Sequence, residues 1–246
     1  MASVDLVIPC YNEAHVLAGS VERTLAYLET RPEHAWRIVI ADNASTDRTL
    51  EVARELEAAH PGLVAALHVP VKGRGLALRN AWLTSDADVC AYMDVDLSTD
   101  LQHLPALIGP LADGRADLSL GTRLHPNSQT ERGWRRELIS RTYVRILRWF
   151  GGLRVTDAQC GFKAIRTEVA RALLPVVEDT GFFFDSELLI VAQSNGFRLV
   201  EVPVKWTDDP DSRVNVRQTA IADLRGLWRL RRGGIPRAVG SVAEPT

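Results

Sequence analysis

Short, continuously apolar segments alternate with helix-like segments through the first half of this chain. Apolar residues dominate five segments of strand length, at 6–8, 37–40, 64–69, 89–93 and 117–120. Between them, apolar side chains recur at helical spacing in residues 14–29, 48–59, 75–83 and 101–111. Strands that are apolar at successive positions are typical of a parallel sheet with helices on both faces. We therefore predict an α/β fold with a mostly parallel central sheet flanked by helices.

The second half, from residue 121, is less regular. Helical spacing is found at 137–150, 168–174 and 186–194, and one clear strand is predicted at 199–206. A last helix is predicted at 216–232, with Ala220, Ile221, Leu224, Leu227 and Trp228 along one side. Because no repeat or linker interrupts the sequence, we expect one domain over residues 1–215, followed by an amphipathic helix and tail at 216–246.

The formal net charge of -2 conceals an asymmetry between the two halves. Residues 1–120 carry 9 Lys and Arg against 17 Asp and Glu, whereas residues 121–246 carry 20 against 14. One half is therefore suited to hold a cation, and the other to face phosphates or lipid headgroups. A chance imbalance of solvated surfaces is the alternative explanation.

Cysteine usage and the lack of targeting signals indicate the compartment. The three cysteines have no CxxC spacing, which argues against a disulfide framework or a structural zinc site. The N-terminus is too short and acidic for a signal peptide, and no apolar run approaches the roughly 20 residues that cross a bilayer. We expect a cytoplasmic protein, peripheral on the cytosolic face of a membrane. No nucleic-acid-binding module is recognised, so no nucleic-acid partner is expected.

Two carboxylates, Asp94 and Asp96, directly follow the strand at 89–93. In an extended chain, side chains two positions apart project to the same side, so both would face one cation. Carboxylates together with diphosphate oxygens and water suit Mg²⁺ or Mn²⁺. Such pairs are also common in solvent-exposed loops, and the position at the end of a buried strand is what favours a metal site.

Asp42 ends the second strand, where it can accept hydrogen bonds from a ribose or a base. Its alternative role is to cap the turn that follows. The first strand leads into residues 9–13 and not into a glycine-rich turn, so a nicotinamide dehydrogenase is disfavoured. Residues 72–75 lack Walker spacing, so no P-loop is present.

Nine segments, taken in order, form a specific pattern: 8–13, 42–47, 72–75, 93–98, 121–123, 136–140, 157–163, 184–189 and 201–204. Together they resemble the family-2 glycosyltransferases, which have a GT-A-type nucleotide-diphospho-sugar transferase fold. The residues of these segments are similar to those of the dolichyl- and polyprenyl-phosphate hexosyltransferase branch, and the resemblance covers nearly the whole chain. It implies a nucleotide-sugar and metal half at 1–120 and an acceptor half at 121–215.

The resemblance also implies a role for individual residues. The nucleotide-sugar site would comprise Pro9, Tyr11, Glu13, Asp42, Lys72, Arg74 and Asp94. The metal would be held by Asp94, Asp96 and Ser98. The acceptor's phosphate would be held by Arg123, Arg136 and Ser140, which suits the bidentate fork of arginine. For Arg136, an exposed helix arginine is an equally good interpretation.

The chain departs from the family pattern in two places. Asn43 and Ala44 stand where the family usually has a second aspartate and a glycine, and an asparagine can donate as well as accept. The C-terminal transmembrane helices of some relatives are also missing. The first departure leaves the preferred nucleobase open, and the second is shared with relatives that bind membranes peripherally.

The resemblance implies an inverting transfer in which the metal ligand Asp96 and a possible base, Asp157, are the catalytic residues. A lipid phosphate is already an anionic nucleophile, since its second pKa is about 6. Asp157 would be needed only for a hydroxyl acceptor, and its alternative role is to hold the turn at 160–162. Asp185 and Glu187 either contact the sugar or Lys163, or are charges at a helix N-terminus.

The sequences of residues 157–163 and 184–189 resemble the glucosyl branch more than the mannosyl branch, which favours UDP-glucose over GDP-mannose as the donor. The expected acceptor is a polyprenyl phosphate, reached at a membrane surface. The apolar and arginine-rich residues of 138–150 and the last helix are candidate membrane-contacting surfaces, although a core-facing helix would give the same pattern. The competing functions are a family-2 transferase acting on a hydroxyl and a non-catalytic nucleotide-sugar-binding scaffold.

Overall fold

The computed structural model describes residues 1–131, 134–207 and 216–239, and within these ranges it leaves out the side chains of residues 131, 134–137, 139 and 216–220. The strands are β1 (Ser3–Cys10), β2 (Ala35–Asn43), β3 (Val64–Val69), β4 (Val89–Met93), β5 (Leu118–Thr122), β6 (Gln129–Glu131), β7 (Phe162–Arg166), β8 (Leu199–Pro203) and β9 (Lys205–Thr207). The helices are α1 (Ala14–Glu29), α2 (Thr49–Ala59), α3 (Arg74–Leu83), α4 (Leu104–Ala112), α5 (Trp134–Gly151), α6 (Thr167–Leu173), α7 (Phe184–Ser194) and α8 (Val216–Gly233), and a 3₁₀ helix, Leu101–His103, precedes α4.

Seven strands form one sheet in the order β3-β2-β1-β4-β7-β5-β8. The pairs β1–β2, β1–β4, β2–β3 and β5–β8 are parallel, whereas β7 runs antiparallel between β4 and β5. A separate pair, β6 and β9, is parallel. The predicted mostly parallel sheet with flanking helices is therefore confirmed.

An apolar core lies on each face of the sheet, as successive residues of β1 illustrate. Val7 belongs to the core that is covered by α3, α5, α6, α7 and α8. Its neighbours Leu6 and Ile8 belong to the opposite core, which is covered by α1, α2 and α4. Because both faces are covered, β1 is buried along most of its length, which explains its continuous apolar sequence.

The five strands and four helices predicted for the first half are present with shifts of a few residues at their ends. The second half holds two strands that were not predicted, β6 and β7, and the single strand expected at 199–206 is divided into β8 and β9. In β7, the run of apolar residues is interrupted by Lys163, whose side chain is 2% exposed. A lysine at the centre of a buried strand removes the apolar pattern that would identify it.

Helix α8 has two different faces, which corrects the expectation that its apolar residues share one side. Leu227 and Leu230 are buried in the core, together with the carboxyl of Asp223. Ile221, Leu224 and Trp228 are instead more than half exposed.

Helix α5 is divided in the same way, with Val144 and Leu147 buried and Leu138, Trp149 and Phe150 exposed. In the part of the chain that the structure describes, no helix is both long and apolar enough to span a membrane.

Candidate active site

The turns that follow β1, β2 and β4 meet at the carboxyl edge of the sheet. Each contains a residue with left-handed backbone: Asn12 (φ 58°), Ala44 (φ 57°) and Leu97 (φ 55°). They are the only such residues other than glycine in the described part of the chain. This conformation costs roughly 1–2 kcal/mol for a residue with a Cβ atom, and such costs cluster at functional sites. The left-handed backbone of Ala44 also explains why the family pattern has glycine there.

The turn after β1 brings predicted nucleotide-binding residues to this edge. Nζ of Lys72 lies 3.5 Å from the centre of the Tyr11 ring, a cation–π contact between the turn and the loop before α3. The backbone N–H of Glu13 donates to Oγ1 of Thr49 at 2.8 Å, which fixes the start of α1. Pro9, Tyr11 and Glu13 are all partly exposed.

The carboxyl of Asp42 is fully buried, although it was predicted to bind the nucleotide. Nδ1 of His68 lies 2.7 Å from its Oδ2, and the N–H of Ser45 donates to Oδ1 at 3.3 Å. This arrangement favours the alternative in which Asp42 holds the turn. The next residue, Asn43, accepts the N–H of Gly73 at 2.7 Å and so joins this turn to the loop that carries Lys72.

Asp94 and Asp96 lie in a turn beyond the end of β4, so the argument from an extended strand does not apply to them. The N–H of Leu97 donates to the carbonyl of Asp94 at 3.3 Å, and the N–H of Ser98 donates to Oδ1 of Asp96 at 2.9 Å. Asp94 is partly exposed and Asp96 is exposed, while Val95 between them is buried. Ser98, the predicted third metal ligand, is partly exposed at the end of the same turn.

Arg74 connects the Asp94 carboxylate to the buried carboxylate of Asp185. Its Nη2 donates to Oδ1 of Asp94 at 3.0 Å, and its Nη1 donates to Oδ2 of Asp185 at 2.5 Å. Burial alone would lower the pKa of this guanidinium, but Tyr92, Asp185 and Asp94 outweigh burial and raise it. The cation is therefore permanent and is fixed beside the predicted metal ligand.

Asp185 is the centre of a buried charge cluster that the sequence only partly indicated. Besides Arg74, its carboxylate accepts from Nζ of Lys163 at 2.9 Å and from the hydroxyl of Tyr92. Lys163 also donates to the carbonyl of Cys160 at 2.6 Å. Asp185 both contacts Lys163 and lies in the first turn of α7, so the structure contains two of the arrangements considered for it. The role of Tyr92 could not be recognised, because it reads as an ordinary strand residue.

Arg123 and Asp157, in the predicted acceptor half, form a bidentate ion pair. Nε of Arg123 donates to Oδ2 of Asp157 at 2.7 Å, and Nη2 donates to Oδ1 at 3.0 Å. Burial would raise the pKa of the Asp157 carboxyl, but Arg123 and Lys163 outweigh burial and lower it. A carboxylate held in this way is a weak base, which favours the structural alternative for Asp157 over general-base catalysis.

Gly161 brings the loop at 157–161 against the turn that contains Asp94 and Asp96. A Cβ atom at this position would overlap the Oδ2 atom of Asp94. The loop at 157–161 therefore approaches the carboxylate as closely as backbone can, which only glycine permits. Since β4 ends and β7 begins at the same edge, with Met93 opposite Phe162, the two turns are neighbours.

Two predicted acceptor residues lie on α5. Ser140 is partly exposed on that helix. The side chain of Arg136 lies outside the described residues. Among the side chains that are described, no group of three or more His, Cys, Asp and Glu converges as a metal site.

The sequence comparison identifies the family of this chain. The family described as Glycosyl transferase family 2 matches residues 5–174. The chain belongs to glycosyl transferase family 2. The match to this glycosyltransferase family covers β1 to α6 and therefore both the turn that contains Asp94 and Asp96 and the Asp157 loop, whereas α7 and α8 lie beyond it.

Relatives of this family-2 glycosyltransferase include AglD of Haloferax volcanii, which is 36% identical over 98% of the chain. The chain spans only 39% of the length of AglD. Dolichyl-phosphate beta-glucosyltransferase ALG5C of Trichomonas vaginalis is 28% identical, with 92% of the chain and 73% of that protein covered. Polyprenol monophosphomannose synthase of Mycolicibacterium smegmatis is 32% identical, with 96% and 90% covered.

Solved structures confirm the fold of the glycosyltransferase. Glucosyl-3-phosphoglycerate synthase of Mycobacterium tuberculosis, solved with Mn²⁺, UDP and phosphoglyceric acid, superposes with a TM-score of 0.68 at 21% identity. The superposition covers 96% of this chain and 80% of that one. Mannosyl-3-phosphoglycerate synthase of Rubrobacter xylanophilus gives a TM-score of 0.71 at 18% identity, with 99% and 78% covered.

Proposed function

We propose that this glycosyltransferase is an inverting hexosyltransferase that moves glucose from UDP-glucose to a polyprenyl or dolichyl phosphate. The observation that carries the proposal is the position of Asp94 between two sides of one site. Arg74 contacts it from the donor side, and Gly161 approaches it from the loop that holds Asp157 and Arg123. The names of the Trichomonas relative and of the mycobacterial relative support transfer to a lipid phosphate. The mycobacterial name also makes mannose from GDP-mannose the second donor to test.

The carboxylates of Asp94 and Asp96 suit an oxygen-preferring ion, and they would hold Mg²⁺ or Mn²⁺ together with the donor's diphosphate. Both are at least partly exposed at the edge where ligands bind such sheets. A bound divalent ion would supply Lewis-acid stabilisation of the departing diphosphate. Arg74 adds a fixed positive charge to the same place, and Lys72 adds a second one over Tyr11.

The pairing of Arg123 with Asp157 fits a phosphate acceptor better than a hydroxyl acceptor. A hydroxyl must lose its proton, and the Asp157 carboxylate has both oxygens on Arg123 and a lowered pKa. A phosphate monoester is already anionic near neutral pH and needs no strong base. Within the described part of the chain, Nη1 of Arg123 has no hydrogen bond, so this group is available to a phosphate oxygen.

The exposed apolar residues of α5, α8 and the segment just after α8 favour a membrane surface as the place of reaction. They comprise Leu138, Trp149, Phe150, Ile221, Leu224, Trp228 and Ile235. Two arginines lie against these rings, with Arg231 5.1 Å from the centre of Phe150 and Arg232 5.6 Å from that of Trp228. Aromatic and aliphatic side chains mixed with arginines are typical of surfaces that lie in the lipid headgroup region. Peripheral attachment to the cytosolic face remains part of this proposal.

The decisive experiment is a donor and acceptor panel with the purified chain. UDP-glucose, UDP-galactose and GDP-mannose are each incubated with Mg²⁺ or Mn²⁺ and a polyprenyl phosphate, and glycolipid is followed by mass spectrometry. We expect glucosyl phospholipid from UDP-glucose, and none with excess chelator. Transfer to a polyprenol lacking the phosphate, or to a sugar hydroxyl only, would overturn the proposed acceptor. Nucleotide binding without transfer to any acceptor would favour the non-catalytic nucleotide-sugar-binding scaffold.

Membrane attachment is tested separately by co-sedimentation with vesicles of neutral or anionic phospholipid. We expect binding that increases with anionic lipid and falls on replacing Trp149 and Trp228 with serine. Replacing Leu63 with serine provides a control, because Leu63 is also an exposed apolar residue but lies just before the edge strand β3 and not on α5 or α8. Equal loss in the control would remove the assignment of this surface.

A further inference from the structure

Helix α8 lies beyond the family match, yet it is packed tightly into the acceptor half. A Cβ atom at Gly226 would overlap the ring of Phe183, so the helix backbone lies directly on the residue that precedes α7. Leu227 and Leu230 continue this inner face into the core. Arg229 anchors the helix further, because its Nη2 donates to the buried Glu187 at 2.7 Å. The position of α8 is therefore fixed.

Asp223 places a carboxyl group on this otherwise apolar inner face. The residue is 1% exposed. Its Oδ2 accepts a hydrogen bond from Nε2 of Gln159 at 3.0 Å, whereas its Oδ1 is buried without a hydrogen-bond partner among the described residues. Burying a half-satisfied carboxyl is unfavourable for stability, and an apolar residue of similar size would pack there at lower cost.

Gln159 connects this carboxyl to the acceptor-side ion pair. Its backbone N–H donates to Oδ1 of Asp157 at 3.1 Å, and the same carboxylate holds Arg123. A continuous series of contacts thus runs from α8 through the side chain and then the backbone of Gln159 to Arg123. Because Gly161 of the same loop lies against Asp94, a shift of this loop would reach both sides of the site.

We propose that Asp223 is a positioning residue, which holds Gln159 and thereby sets the Asp157–Arg123 pair for the acceptor's phosphate. This inference rests on the proposed function, because it takes Arg123 as the phosphate-binding group. It explains why a buried carboxyl is present where packing alone would favour an apolar residue. It also makes α8 part of the acceptor site, because Asp223 acts on that site through Gln159.

The test compares Asp223→Leu, Asp223→Asn and Gln159→Leu with the wild-type chain. Five quantities are measured: the Kd for UDP with Mn²⁺, the Kd for farnesyl phosphate, kcat and KM for the lipid acceptor, and Tm. Asp113→Leu, at an exposed aspartate, is the matched control.

We expect Asp223→Leu and Gln159→Leu each to lower kcat/KM for the acceptor by up to about 10²-fold, the cost of a misplaced binding group. Their combination should be no worse than either alone, because both remove the same contact. Asp223→Asn keeps an acceptor for Gln159 and should stay within about threefold of wild type. The Kd for UDP should not change, and the Tm of Asp223→Leu should be equal or higher.

A purely structural role predicts the opposite combination, in which Tm falls and UDP binding weakens together with transfer. That result would overturn the inference. Additive losses in the double variant would overturn it too, as would wild-type acceptor kinetics in Asp223→Leu. If the wild-type chain binds UDP and farnesyl phosphate but transfers nothing, the proposed function fails. In that case the inference is still decided by the Kd for farnesyl phosphate, which should rise in both leucine variants.

Discussion

Lys163 and Asp185 form an ion pair with 2.9 Å between Nζ and the carboxylate, and both side chains are almost completely buried. The same carboxylate also holds Arg74, so one anion orders two cations. Burial would raise the pKa of Asp185, but Lys163 and Arg74 outweigh burial and lower it. The arrangement links β7, α3 and α7 next to the turn that contains Asp94 and Asp96. It therefore sets where Arg74 stands beside Asp94.

Replacing Asp185 with asparagine should damage both the fold and donor binding. The change leaves Lys163 buried without its counter-charge, which costs about 3–5 kcal/mol of unfolding free energy. Arg74 also loses one of its two anchors, so we expect the Kd for UDP to rise. Urea unfolding and calorimetry measure the two effects. The exposed pair of Asp113 and Arg115 supplies the control, because Asp113→Asn should change stability by less than about 1 kcal/mol. Equal effects at the two positions would contradict the prediction.

Gly161→Ala should impair transfer more than it impairs the fold. The new methyl group would overlap Oδ2 of Asp94, so the carboxylate must move. A displaced metal ligand is expected to reduce turnover by about 10²-fold. Glucosyl transfer and Mn²⁺ affinity in the presence of UDP are the measurements. Gly19→Ala in α1 is the control, since a Cβ there meets nothing within 4 Å and alanine is the better helix former. Normal Mn²⁺ affinity in Gly161→Ala would argue against this role of the loop.

Asp96→Ala should abolish transfer while leaving the protein folded. Asp96 is exposed, and the contact that its side chain makes with the N–H of Ser98 is worth about 1 kcal/mol. Loss of a group that stabilises the departing diphosphate should lower kcat by at least 10²-fold, to about the level seen with excess chelator. Circular dichroism and a transfer assay check the two halves of the prediction. Unchanged turnover in this variant would remove Asp96 from the metal site.

The contribution of Asp223 to the stability of the chain should decrease as the pH rises from about 4 to about 7. Burial raises the pKa of its carboxyl from 3.8 to about 6, and the charges of Asp179 and Asp185 add to this. The nearby hydroxyl of Tyr143 and the hydrogen bond from Gln159 act in the opposite direction. Since the folded-state pKa is the higher one, the contribution is fully present below the unfolded pKa and is lost as the pH rises through about 6.

The magnitude is on the order of 2 kcal/mol, which is reduced from the full linkage value by solvent screening at a surface helix. It is measured as the difference in unfolding free energy between wild type and Asp223→Asn at a series of pH values. The asparagine cannot titrate, so this difference should vary between pH 4 and 7 and be constant above. A difference that is the same at every pH would show that Asp223 has an ordinary pKa.

The sequence predicted the donor half of the fold well, because its physical signals are local. β4 is buried throughout and β1 along most of its length, and each is followed by a polar turn at the carboxyl edge. The pattern places Asp94 and Asp96 directly after β4, and the structure has them there. Their relative orientation could not be predicted, since the turn begins where β4 ends and the strand alternation stops with it.

The acceptor half depends on contacts between distant residues, and these leave weaker signals. Lys163 interrupts the apolar pattern of β7, and only its pairing with Asp185 explains why a lysine is buried there. The two faces of α8 could not be separated either, because the helix is apolar on both. Asp223 reads as one more solvated helix charge until its contact with Gln159 is known.

The antiparallel insertion of β7 has a consequence for how such enzymes diversify. The polypeptide leaves the sheet at Thr122 and returns at Phe162, and both points are fixed by pairing within the sheet. The segment between them is anchored at both ends, so the part before Asp157 can vary while β1, β2 and β4 stay unchanged, provided that core residues such as Leu147 and Val155 are kept. Exchanging residues 123–156 between relatives, with Asp157 and Gly161 retained, is therefore a route to new acceptors.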